Sequence, residues 1–139
     1  MEECIFCEIV KGEIPCYKVY EDEKTLAFLD INPVNVGHAL VMPKNHVPKI
    51  SVAEEDDLLA LTKALKKVVK GVETSMGVDN LNVFVNQGRD AGQLIPHLHY
   101  HIVPRHAGDG VKFDVPQRKL SEGEFKDVVK KIRSAIEML

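Results

Sequence analysis

The sequence predicts an α+β fold: an antiparallel sheet of about five strands with one long central helix and a C-terminal helix. Three observations predict it. Short apolar runs of strand character come first, then a long helical stripe, then further strands and a last helix. No regular alternation of strand and helix appears. Several strand connections are also shorter than the dozen or so residues that a parallel crossover takes.

Residues 4–10 read as a short helical turn or an irregular opening segment. Residues 16–20 and 25–29 read as two short strands around the charged turn Glu21-Asp22-Glu23-Lys24. Residues 32–37 form a loop by their Asn, Pro and Gly content. Residues 38–42 are a third strand, closed by Pro43. Ser51-x-x-Glu54 has the form of a capping box. The helix it opens carries Leu58, Leu61, Leu65, Val68 and Val72 at spacings of three and four, and ends near Gly77. Residues 81–85 are a strand, residues 86–93 a polar loop containing glycine, and residues 98–103 a strand stopped by Pro104. Residues 105–119 read as irregular. Ser121-x-x-Glu124 is a second capping box, leading a helix whose Phe125, Val128, Val129, Ile132 and Ile136 are expected to face inward. No repeat or low-complexity linker divides the chain. It is read as a single domain over residues 1–139, with its motifs in 4–105 and a helix-bearing extension over 106–139.

The 139 residues are 45% hydrophobic and 28% charged, enough to bury a core. A net charge of -3 argues against nucleic acid or an anionic membrane as partner. No apolar run approaches the roughly 20 residues of a membrane span, and the N-terminus has no signal-peptide pattern. A cytoplasmic protein is therefore expected. Three cysteines are present, two of them in Cys4-x-x-Cys7. In a reducing compartment such a pair points to metal or redox chemistry before it points to a disulfide.

His97, His99 and His101 occupy alternate positions of the fifth predicted strand. Alternation would put all three on one face, roughly 6.5–7 Å apart, with Leu98, Tyr100 and Ile102 turned to the core. Three readings are open: a solvated polar face, a three-histidine zinc site, or nucleophilic catalysis. Imidazole suits the last, because an ordinary pKa of about 6.5 leaves a neutral nitrogen available at pH 7. The adjoining loop favours it too. Its glycines let backbone N–H groups approach a phosphate, and Asn86 and Gln93 add neutral donors.

The segment His97-Leu98-His99-Tyr100-His101-Ile102-Val103 resembles the signature of the histidine triad (HIT) superfamily. The likeness extends upstream through Cys4-Ile5-Phe6-Cys7, Ala27 to Ile31, Gly37 to Lys44, His46, and Asn86 to Gln93. It implies a nucleotide hydrolase or transferase, similar to adenosine 5'-monophosphoramidases, acting at the α-phosphate of purine nucleotides through a nucleotidyl-histidine. It implies His99 as nucleophile, His101 on the phosphate oxygens and His38 supporting the catalytic imidazole. Asp30 would take the ribose hydroxyls, Phe28 and Ile31 the purine, and Asn86, Gly92 and Gln93 the α-phosphate. It also implies a homodimer.

Members of the Hint branch often carry Ser after the Gln of this loop; here Leu94 stands there, and the tail after Arg105 is longer. The leaving group is accordingly an amine, from a nucleoside phosphoramidate, or a nucleotide, from a substrate of the diadenosine tetraphosphate type. A nucleotide-binding regulatory module with little turnover is a further alternative.

Cys4-x-x-Cys7 has typical zinc spacing, and histidines must complete a four-ligand site. Reduced core thiols and a redox dithiol are the competing readings. Some bacterial and archaeal HIT proteins are similar in pairing two such cysteines with a later histidine and the first triad histidine. The resemblance thus implies a structural zinc on Cys4, Cys7, His46 and His97.

Overall fold

The structure is a computed structural model that describes residues 4–139. Helix α1 (Ile5–Val10) is capped by the Cys4 sulfur, which accepts from the Cys7 backbone N–H. Strands β1 (Lys18–Glu21), β2 (Thr25–Leu29) and β3 (Ala39–Pro43) follow. Helix α2 (Glu55–Met76) then leads to β4 (Leu81–Phe84) and β5 (Tyr100–Pro104), and helix α3 (Glu122–Glu137) comes last. The strands form one antiparallel sheet in the order β1-β2-β3-β5-β4.

The two sheet faces carry different cores. Ala27, Ala39, Val41 and Ile102 lie under Leu61, Ala64, Val68 and Val72 of α2. This is the helical stripe meeting the inward positions of alternating strands. On the opposite face, Leu26, Phe28, Leu40 and Met42 meet Cys4 and Phe6. The pairing of Leu40 with His101, and of Phe84 with His101, sets these side chains on that second face.

Gly77 ends α2 in the left-handed region, at φ 64, where a side chain would be strained. Gly37 is both left-handed and crowded: a Cβ there would lie 2.8 Å from Met76 and 3.2 Å from Pro104. Among the described residues no helix is long and apolar enough to cross a membrane.

Three expectations change. Ser51 does not cap α2. It lies in a 3₁₀ turn, Ile50–Val52, and Glu54 occupies the cap position. The acidic first turn, Glu55, Asp56 and Asp57, meets the helix dipole instead. The last strand starts at Tyr100, so His97 and His99 precede it and alternation does not govern all three rings. The capping box at Ser121 forms as expected, but α3 turns nothing inward. Phe125, Val128, Val129, Ile132 and Ile136 are 43–59% exposed, because α3 stands off its own sheet.

Candidate functional site

The site forms where the chain enters β5. Two backbone bonds pin the entry: the Leu98 N–H donates to the Val47 carbonyl at 2.7 Å, and the His97 N–H to Ile95 at 2.8 Å. The His97 ring then turns toward the cysteines, while His99 and His101 lie side by side with ring centroids 4.9 Å apart.

Hydrogen bonds fix where each imidazole carries its proton. His99 Nδ1 faces the His97 carbonyl at 2.7 Å. A carbonyl only accepts, so Nδ1 holds the proton and Nε2 keeps a free lone pair. His38 Nδ1 faces the Val34 backbone N–H at 3.0 Å and must accept. Its proton is therefore on Nε2, which lies 3.0 Å from His101 Nδ1. His101 accepts there, so its own proton sits on Nε2 and is available as a donor. The chain Val34, His38, His101 is thus polarised in one direction.

Burial keeps these rings neutral. It pushes the pKa of His101 down to about 4, with the neighbouring His99 and His38 adding to the effect. Burial likewise lowers His38 and His99, against the opposing pull of the Asp30 carboxylate. An uncharged nucleophile beside an uncharged donor suits attack on an anionic phosphate.

Two aromatic residues that the sequence reading passed over set the rings. Phe6 of α1 meets His99 edge-on at 5.0 Å and 89°. Phe84 stacks on His101 at 4.6 Å and 10°. Phe113 packs edge-on against Phe84, and the Arg105 guanidinium lies over Phe113. Arg105 also bonds Asp109, Asn82 and the Val111 carbonyl, tying the segment after β5 to the site. The only sequence signal for Phe84 is its pairing register with His101, which needs β4 and β5 to be aligned.

The remaining candidates surround this core unevenly. Asp30 is part-buried, 3.6 Å from His38 Nε2. Ile31 is 76% exposed, free to lie against a flat ring, whereas Phe28 is 4% exposed and belongs to the apolar cluster with Phe6. Asn86 Nδ2 is 3.5 Å from the Gly92 carbonyl. Gln93 staples the loop: its Oε1 accepts from the Gly88 N–H at 2.8 Å, and its Nε2 donates to Pro48 at 2.7 Å. One Nε2 hydrogen of Gln93 remains for a ligand.

The cysteines make a second group. Cys4 and Cys7 Sγ lie 3.4 and 3.6 Å from His97 Nδ1, and Cys7 Sγ lies 3.3 Å from His46 Nδ1. All four donor atoms fall within 4.8 Å of one another. A tetrahedral zinc with thiolate and imidazole ligands sets its donors about 3.5 Å apart, so the spacing fits. The protons fit as well. His97 Nε2 donates to the Pro43 carbonyl at 2.7 Å, which leaves Nδ1 unprotonated toward the sulfurs. Burial and Cys4 push the Cys7 thiol up to about 11, a cost that a bound divalent cation reverses. Asp57 of α2 holds Asn45, next to His46, at 3.1 Å.

Asp30, His38 and His101 also cluster within 4.8 Å. Here proton arithmetic opposes a metal. Ligation through His38 Nε2 would need the proton on Nδ1, where the Val34 N–H already points.

Residues 11–108 match the HIT domain family. The chain belongs to the HIT family. It is 41% identical to the adenosine 5'-monophosphoramidase hnt1 of Schizosaccharomyces pombe, over 96% of this chain and 98% of that protein. It is similar in structure to SMU.412c of Streptococcus mutans UA159, with a TM-score of 0.91 and 36% identity, over 98% of this chain and 87% of that one. A zinc-bound histidine triad protein of Mycobacterium smegmatis is 31% identical with a TM-score of 0.74, covering 95% of this HIT chain and 96% of its own.

Proposed function

We propose that this HIT protein hydrolyses purine nucleotides at the α-phosphorus through a nucleotidyl intermediate on His99, with nucleoside phosphoramidates as first substrates. The observation that carries the reading is the proton pattern: a bare Nε2 on His99 beside a donor Nε2–H on His101. The likeness to a named phosphoramidase across nearly the whole of both chains supports the same chemistry.

In the first step His99 Nε2 bonds to phosphorus in line with the leaving amine. The amine departs with the electron pair of its bond to phosphorus and takes a proton from solvent. The His99 ring becomes cationic, and the His97 carbonyl on Nδ1–H stabilises that charge as it develops. His101 donates to a phosphate oxygen, held by His38. In the second step water adds to phosphorus, its proton leaves to solvent, and His99 Nε2 recovers its electron pair. Asp30 takes the ribose hydroxyls and Ile31 lies against the base, above Phe28. Asn86, Gly92 and the spare Gln93 hydrogen hold the phosphate.

Zinc on Cys4, Cys7, His46 and His97 is structural in this reading, because four protein ligands leave no open position. The fit of donor spacing and protons supports it, as does the zinc-bound relative. Cysteines without a disulfide, as these are, suit a reducing cytoplasm. The active unit is a homodimer.

The test is to quench the enzyme during turnover of radiolabelled adenosine phosphoramidate and map the label. Adenylate on His99 is the expected result. Label elsewhere, with turnover surviving His99→Ala, overturns the reading. Parallel rates on diadenosine polyphosphates rank the two leaving groups.

A further inference from the structure

The α2 face of the sheet is half covered. Five strands span about 20 Å at 4.8 Å spacing, whereas one helix with its side chains is about 10–12 Å wide. The bare half is a hollow of about 420 Å³ between α2 and the β1–β2 side. Val19, Leu29, Val36, Val68, Val72 and Met76 make its apolar walls. Gly71 and Ser75, one turn apart on α2, also line it, and a Cβ at Gly71 would meet nothing within 4 Å. A flat helix flank of this kind lets another helix approach closely.

The same chain carries an uncovered surface of matching kind. All residues of α3 are exposed, and its apolar stripe runs Phe125, Val128, Val129, Ile132 and Ile136. That spacing marks one face of a helix meant to be buried. The likeness to the Streptococcus mutans protein, at a TM-score of 0.91 over 98% of this chain, takes in the α3 segment.

In the structure α3 does not fill its own hollow. Phe113 is pinned to Phe84 on the face opposite α2, beside the β4 edge. The hollow lies on the α2 face, toward β1 at the other edge. No residue of α3 is among those lining the hollow, and the whole helix is exposed, so the stripe stays clear of the hollow of its own chain.

We infer that α3 docks in the hollow of a second copy of this chain, lying beside α2 so that each protomer completes the other's helical layer. The exchange is reciprocal: two hollows and two stripes are covered by one two-fold contact. This rests on the homodimer reading above and names the surface that forms it.

Sedimentation and isotope-filtered NMR test it on the full chain, using mixed dimers of labelled and unlabelled copies. The expected result is a dimer with contacts between copies from Ile132 and Ile136 methyls to Val19 and Met76. Gly71→Arg fills the hollow while improving the helix propensity of α2. Ile132→Glu alters only an exposed position of the protomer, so it leaves the fold intact. Each variant should raise amide exchange in α3 at least tenfold. A monomer in sedimentation overturns the homodimer reading together with the inference. A dimer whose α3 exchanges freely, or whose contacts arise within one copy, overturns the inference alone.

Discussion

His97 serves two neighbours at once: its ring Nδ1 faces the Cys4 and Cys7 sulfurs, and its carbonyl holds His99 Nδ1 at 2.7 Å. The thiol cluster and the reactive imidazole therefore share one residue, which keeps the lone pair of His99 on Nε2.

Removing the proposed nucleophile should have the largest effect. His99→Ala should lower phosphoramidate turnover by about 10⁴-fold or more while nucleotide binding persists. Steady-state kinetics together with AMP binding measure this. A loss below tenfold contradicts a covalent step at His99.

The metal should be one zinc per chain. Cys4→Ser should remove it and cost about 2 kcal/mol, or about 8 °C in Tm. Turnover should fall as well, because His97 loses its anchor and its carbonyl shifts. Atomic absorption and calorimetry on the same sample check both parts. Unchanged zinc content in Cys4→Ser would rule out the proposed ligand set.

Phe84 should act on rate through His101. Phe84→Ala removes the stacked ring and admits water, so the His101 pKa rises from about 4 toward 6.5. Turnover at pH 7 should drop about tenfold, the scale of one lost stacking contact. Phe84→Tyr keeps the plane and should restore both values. Histidine NMR titration reads the shift directly, and a fixed pKa in the alanine variant rejects the role.

Acid should destabilise the fold in a defined window. His101 titrates near 4 when folded and near 6.5 when unfolded, so between those values the unfolded chain binds more protons. Stability is whole above about pH 6.5 and declines as pH falls toward 4. Because acid also strips thiolate-bound metal, the comparison is with His101→Asn in the same buffers. The variant should show the shallower fall in Tm, and equal slopes would count against the burial effect.

Much of the architecture is legible from short-range pattern. Residues 25–29 are a short apolar run and become β2; the stripe through Val72 and the stop at Gly77 become α2. Ser121 caps α3 as its Ser-x-x-Glu pattern suggests, whereas the same pattern at Ser51 is spent in a 3₁₀ turn ahead of α2. What the sequence misleads on depends on distant partners. The His97 to Val103 alternation continues past the point where ladder bonds begin, so strand onset at Tyr100 is hidden. The α3 stripe is visible, but what it packs against is not local. In the site, the Cys4, Cys7, His46 and His97 set spans much of the chain and comes together through the packing of α1 on the sheet and the Leu98–Val47 backbone bond. Phe6 lies within the Cys4-Ile5-Phe6-Cys7 segment but its contact with His99 is not written there, and Phe84 has no motif, because an aromatic side chain gains its role from the ring it touches.

The backbone amide of Val34 leaves one last consequence. An amide neither titrates nor rotates away, so it acts as permanent wiring for His38. Deleting it, as Val34→Pro would, releases Nδ1 to take the proton and frees Nε2 for a ligand's role. The trio of Asp30, His38 and His101 would then be reprogrammed from a hydrogen-bond conductor into a receptor for transition metals. One backbone hydrogen separates the two identities.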